Sequence, residues 1–230
     1  MAKFKGSKKK KKHEGDSRIR RRNALIAIAI GVLFIFSIFG IALQSPKYGN
    51  TISISNLKFI IKTLDGGGQY FELIDSKNDS LNELTFYYLP DENYKSIFSP
   101  NSEDIRDLVL NNNFIYLSLD PSLINGSEEE KASIQYQELS RSQLRSTFEA
   151  IGKLSFNSVE TPFGNSMEFG CENATDEAVV ISFVDKQRTE KSEGIYISDK
   201  NSNCLEIVGS GMDFVRYTDL LKFLIISTGE

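Results

Sequence analysis

The chain has 230 residues and a formal net charge of −4. Its 40% hydrophobic and 25% charged content excludes wholesale disorder. Five Pro and sixteen Gly without a period exclude a collagen-like or Pro-rich chain. The charge is split, with +9 on residues 1–23 and −13 on residues 24–230.

Residues 1–23 are expected to form a basic, disordered tail that includes five consecutive lysines, Lys8–Lys12. The tail has three readings: a topology determinant, a contact for anionic lipid head groups, or a phosphate contact on nucleic acid. Phe4 is its one aromatic residue, so base stacking has little to work with. Ala24–Leu43 follows, uncharged and apolar throughout except for Ser37. At about 1.5 Å per residue it reaches across a bilayer, and the expected transmembrane helix is 24–44. Basic residues crowd its N-terminal side, so the tail is expected in the cytoplasm and the rest outside, a single-pass membrane topology. The run exceeds the usual signal-peptide core, which favours an uncleaved signal anchor. Gly40-Ile41-Ala42 keeps cleavage open, with a mature N-terminus near Leu43 or Ser45. A pilin-type leader fits Arg22–Leu25 poorly.

After a connector at 45–50, residues 51–230 are expected to form an extracytoplasmic α/β domain. A β-rich portion spans 51–95. Leu57, Phe59 and Ile61 alternate with polar residues, and Asp65-Gly66-Gly67-Gly68 then turns the chain into Tyr70–Ile74, a hairpin pattern. The glycines could cradle a phosphate only with a helix directly after them, and QYFELI reads as strand. Leu84–Leu89 is a further strand, stopped by Pro90. A helix is expected at Glu103–Leu110, capped by Ser102. Phe114–Leu119 is a central, buried strand. It ends at Asp120-Pro121, either a simple strand stop or the place where open sheets hold ligands. Glu128–Ile151 is mainly helical, with Glu128-Glu129-Glu130 in a solvated first turn and a capping box expected at Ser140–Gln143. Leu154–Val159, Ala178–Val184, Gly194–Ser198 and Leu205–Val208 are strands, and a terminal helix follows Ser210. The class is α/β with a mixed sheet and a β-rich N-terminal portion, behind one transmembrane helix.

Cys171 and Cys204 lie in the expected outer domain, where thiols oxidise, so a disulfide is the first reading. Two buried free thiols or metal ligation are alternatives, the second without a Cys-x-x-Cys or nearby His to support it. Asn78, Asn125 and Asn173 begin glycosylation sequons. Gly209-Ser210-Gly211 lies between a strand and a helix. Ser210 there is a cap or, with its two glycines, part of an anion site.

The one histidine is His13, in the tail. Ser-His-Asp, Cys-His and most zinc chemistry are therefore absent from the outer domain. Carboxylate chemistry remains, and no catalytic, cofactor or metal residue stands out.

Phe86-Tyr87-Tyr88-Leu89-Pro90, Leu119-Asp120-Pro121, Cys171-Glu172-Asn173-Ala174, Asn203–Gly209 and Asp219–Leu224 form a scattered pattern. It resembles a loose set of uncharacterised, single-span archaeal membrane proteins. That resemblance implies a basic tail, one anchor and a two-cysteine outer domain, and it assigns no activity; no cofactor is expected from the residues. The expected role is a membrane-anchored envelope protein that binds or assembles with other envelope proteins. The alternative is a membrane-tethered, carboxylate-based hydrolase acting on surface glycans. The acidic outer domain is no candidate for nucleic acid.

Overall fold

The computed structural model describes residues 50–74, 80–161, 164 and 166–227. All belong to a unit spanning Gly49–Glu230. Two sheets and three α-helices build it. The first sheet is an antiparallel meander of β1 (Thr51–Ile54), β2 (Leu57–Thr63), β3 (Gln69–Ile74) and β4 (Ser80–Phe86), paired in sequence order. The glycine turn joins β2 to β3, with Gly66 and Gly67 at positive φ. These are backbone positions that side chains disfavour.

The second sheet has six strands: β5 (Phe98–Ser99), β6 (Phe114–Leu119), β7 (Leu154–Val159), β8 (Ala178–Asp185), β9 (Gly194–Ile197) and β10 (Cys204–Gly209). Their order is β5-β9-β10-β8-β6-β7. The run β10-β8-β6-β7 is parallel, and β9 is antiparallel to β10. From β6 the chain goes to β7 on one side, then returns to β8 on the other. β6 and β8 therefore flank a point where the strand order reverses.

Three helices complete the fold: α1 (Ser102–Asn111), α2 (Glu128–Ala150) and α3 (Asp213–Ile226). Alternation along the strands decides where they pack. Ile115, Leu117 and Leu119 of β6 share a face with Val179, Ile181 and Phe183 of β8 and with Leu205 and Ile207 of β10. That face forms one core with Ile105 and Val109 of α1, Leu144 and Phe148 of α2, and Phe214, Leu221 and Leu224 of α3. Each such buried side chain contributes about 1.5–3 kcal/mol. All three helices thus pack into the core on one face of the large sheet.

α3 is buried nearly all round, because it is enclosed from two sides. Its Phe223 leaves the main core and packs with Phe59, Leu73, Leu84 and Phe86 of the small sheet. Phe59 and Phe86 meet edge-on at 5.3 Å, and Tyr94 meets Phe223 at 5.5 Å.

The expected class requires correction. In place of one mixed sheet with a β-rich portion behind a transmembrane helix, the domain has two sheets and three helices. The β-rich portion is a separate sheet packed on α3. Among the described residues no helix is long and apolar enough to cross a membrane. The expected span at 24–44 and the tail at 1–23 lie outside the described residues.

Local boundaries shift for identifiable reasons. The 84–89 strand ends at Phe86, because the Tyr87 and Tyr88 amides donate to the Asp219 carboxylate rather than to a strand. The α1 cap is Asn101, whose Oδ1 accepts from the Asp104 amide at 2.8 Å, not Ser102. The capping box of α2 is Ser127 with Glu130, and Ser140 lies buried in mid-helix.

Candidate functional site

The second face of the large sheet is different. It carries Tyr116, Ser118 and Asp120 from β6 and the residue after it, and Phe156, Ser158 and Glu160 from β7 and the residue after it. β8 adds Val180, Ser182 and Val184, and β10 adds Cys204, Glu206 and Val208. At the strands' N-terminal ends this face is aromatic. Tyr116 stacks on Phe156 at 5.3 Å and on Phe169 at 3.9 Å. In the middle is a row of small hydroxyls and a carboxylate: Ser158, Ser118, Ser182 and Glu206 lie opposite one another on successive strands. At the C-terminal ends it becomes acidic.

Cys171 and Cys204 are joined by a disulfide, with 5.3 Å between their Cα atoms. The bond ties the segment before β8 to the start of β10. It forms a small core with Ala174, Val180 and the flanking aromatics.

Beyond the hydroxyl row a cavity of about 370 Å³ opens at the C-terminal ends of β6, β7 and β8. Asp120, Glu160, Asp185, Arg188, Lys191 and Glu206 are among its walls. Ligands of open α/β sheets bind outside the carboxyl ends of strands, where the strand order reverses. This cavity occupies that place.

Each wall residue is held by identifiable contacts. Glu160 follows β7, and its carboxylate reaches across β6 to accept the Ser182 hydroxyl of β8. Burial pushes the Glu160 carboxyl above the usual carboxylate range and nearby Asp120 adds to this, while Ser182 and Lys200 oppose it. Asp120 accepts from the Ser122 amide at 2.9 Å and pairs with Arg188 at 2.7 Å. Arg188 extends to Glu130 at 2.8 Å, which ties the segment after β8 to the first turn of α2. That hydrogen bond holds the Glu130 carboxyl below its ordinary value. Lys191 pairs with Glu206 at 2.7 Å and Asp199 at 3.0 Å. Burial works against the Lys191 ammonium, but its carboxylate partners outweigh that and raise its pKa. Ser198 donates to the other Glu206 oxygen at 2.6 Å. Asp185 accepts from Ser133 of α2 at 2.5 Å.

The residues singled out from sequence are scattered. Gly209 ends β10, and Gly211 has φ +50°. Ser210 is not the residue that opens α3, which starts after Met212. The Ser210 hydroxyl donates to the Asp213 carboxylate at 3.3 Å, so a carboxylate of the chain itself occupies this helix start. Asn125 is exposed after β6. Asn173 is exposed, and its Oδ1 accepts from the Gly170 amide. Asn78 lies outside the described residues. Glu128, Glu129 and Glu130 form the first turn of α2. Of the positions weighed from sequence, Asp120 is the one that lines the cavity.

Glu160, Ser182, Arg188, Lys191 and Glu206 were not anticipated. The available signal was a lone polar residue within otherwise apolar strands: Ser118 in FIYLSL, Ser182 in AVVISFVD and Glu206 in CLEIVG. Among the described residues no group of three or more Cys, His, Asp or Glu could hold a metal ion.

No family model, no curated protein and no solved structure matches this chain. The fold and cavity stand on their own geometry: a two-sheet α/β domain, stapled by a disulfide, with a cavity lined by charged groups at the C-terminal ends of its parallel strands.

Proposed function

We propose that the chain is an envelope protein whose outer domain, residues 51–230, binds a small polar ligand in the cavity at the ends of β6 and β8. The observation that carries this is the cavity's position, at the strand-order reversal of a parallel sheet, together with its wall of fixed acid–base pairs. The disulfide supports an oxidising compartment. The charge split around the apolar run of residues 24–43 supports tethering at the cell membrane, with the basic tail on the cytoplasmic side and against anionic lipid. Assembly with other envelope proteins, and kinship with archaeal single-span proteins, belong to the same proposal and rest on the sequence alone.

Native mass spectrometry of the full-length chain from its own membranes tests the ligand. A small-molecule adduct is expected, absent from Asp120→Asn and Lys191→Met variants that retain the fold. No adduct, with no amide perturbed by small polar molecules, overturns it. Protease added to intact cells tests the compartment. Digestion of 51–230 is expected, and full protection overturns the outside placement.

A second activity is favoured by one observation. Glu160, pushed toward its protonated form, lies beside Asp120, which is paired with Arg188. Two neighbouring carboxyls in unlike environments, one raised by burial and one held in a charge pair, are the residue types that carboxylate-based glycan hydrolysis uses. Turnover of aryl glycosides, abolished in Glu160→Gln, is the expected result for that activity. No turnover across the panel overturns it.

A further inference from the structure

We infer that the ligand of this cavity is a neutral, polyhydroxylated molecule of the sugar class rather than an ion. The inference rests on the proposed binding role of the cavity and specifies its ligand.

The wall's charges are largely spent on one another. Asp120 is taken by Arg188, and Glu206 and Asp199 share Lys191. Asp185 is occupied by the Ser133 hydroxyl and the Gln187 amide. An anion entering would meet the carboxylates of Asp120, Asp185, Asp199 and Glu206. Arg188 and Lys191 could turn to it only by giving up partners at 2.7–3.0 Å. A cation would meet Arg188, Lys191 and Lys200 at the same walls. An anion finds Lys200 outside the ion pairs but five carboxyl groups on the same walls, and a cation finds Asp185 already accepting two hydrogen bonds beside three cationic side chains, a balance that disfavours charged ligands in a partly enclosed site.

A hydroxyl-bearing ligand meets a different balance. Carboxylates already held by a cation keep lone pairs that accept from hydroxyls, and Arg188 and Lys191 keep N–H groups that donate to them. Adjacent hydroxyls on a ring can donate to the acid and accept from the base of one pair. Thr189 adds a further hydroxyl on the wall. Glu160 adds a carboxyl that is held in place by the Ser182 hydroxyl. About 370 Å³ is within the range of small-ligand sites and suits a monosaccharide or disaccharide.

Saturation-transfer NMR on the full-length chain tests this with two panels at millimolar concentration. One holds neutral hexoses, N-acetylhexosamines and their disaccharides. The other holds inorganic phosphate, acetate and free amino acids. At least one neutral sugar is expected to bind, at least tenfold more weakly in Asp120→Asn and in Lys191→Met. Circular dichroism and an intact disulfide verify the fold of each variant. Binding of a charged compound and of no sugar, sensitive to Asp120→Asn, overturns the ligand class and leaves the binding role standing. Binding of nothing in either panel overturns both. Sugar binding that is indifferent to Asp120→Asn and Lys191→Met overturns the cavity as the site.

Discussion

The Lys222 ammonium lies 2.8 Å from the Asp219 carboxylate, at a place where neither side chain reaches solvent. The pair sits one turn apart on α3, where that helix is covered by the small sheet. Its remaining bonds go to the small sheet and the segment after it. Lys222 donates to the Thr85 carbonyl and lies 4.2 Å from the centre of the Phe86 ring, and Asp219 accepts from the Tyr87 and Tyr88 amides at 2.7 and 3.0 Å. The pair thus fastens the meander to the helix layer through directional bonds that apolar contacts alone would not supply. Burial pushes Asp219 up and Lys222 down, away from their charged forms, and each opposes the shift in the other.

Removing one partner should therefore cost more than removing the charge from both. Lys222→Met leaves a buried carboxylate without its counter-ion and is expected to destabilise by about 3–5 kcal/mol. Asp219→Asn/Lys222→Met keeps an acceptor for the two tyrosine amides and should recover part of that loss. Urea denaturation of the three proteins measures both effects. A single variant that unfolds at the parent midpoint would show that the pair has no structural weight.

Glu160 sets a pH dependence whose sign follows from its burial. Its folded-state pKa is raised above the ordinary value of 4.5. The contribution of its neutral form is fully present below about pH 4.5 and is lost as pH rises through the folded pKa. Relative to Glu160→Gln, the parent chain should lose stability on going from pH 4.5 toward neutrality. The variant, which cannot ionise there, lacks that slope. Denaturant titrations at several pH values decide it, and parallel curves for the two proteins would refute the assignment.

Much of the fold was legible in the sequence because the signals were local. The strand 114–119 was placed by its apolar run, and α2 by helical signals within residues 128–151. Boundaries failed where a distant side chain intervened. Asp219 lies more than 130 residues from the amides that it takes out of the 84–89 strand. Ser140 looked like a cap because Gln143 follows it at capping-box spacing, but Ser127 and Glu130 had already opened the helix upstream. The site was legible only at Asp120. Glu160, Ser182 and Glu206 are far apart in sequence and meet only because parallel pairing lines up β7, β6, β8 and β10 on one face.

The disulfide closes a loop between positions 33 residues apart. In the chain-entropy account that constraint on the unfolded chain stabilises by about 3–4 kcal/mol. Thermal unfolding with and without a reductant, and of Cys171→Ala/Cys204→Ala, should show a lowered midpoint of similar size in both cases. The bond also holds the lower part of the sheet face that carries the cavity. Sugar binding should persist in the reduced chain at temperatures well below its midpoint if the bond acts only on stability: Asp120 and Arg188 lie at the other end of the strands, whereas Glu206 is two residues from Cys204 and the Ser198 amide donates to the Cys204 carbonyl. Loss of binding on reduction in a chain that is still folded would mean that the disulfide positions the site directly.

Arg188 offers the sharpest separation of site from scaffold. Its guanidinium joins Asp120, after β6, to Glu130, in the first turn of α2, and also contacts Ser122. These groups are at or near the surface, where ion pairs contribute little to global stability. Their effect is on local order, because they fix the 186–191 segment that forms one wall of the cavity. Arg188→Met should leave the denaturation midpoint close to the parent value. It should accelerate hydrogen exchange at the amides of Gln187 and Lys191, which are held by short side-chain contacts to Asp185 and Thr189. Ligand affinity should fall with it, since Asp120 loses its partner and the wall loses its tether. A variant with unchanged exchange at 187 and 191 but reduced affinity would assign Arg188 to direct ligand contact. A variant with faster exchange and full affinity would remove this wall from the site.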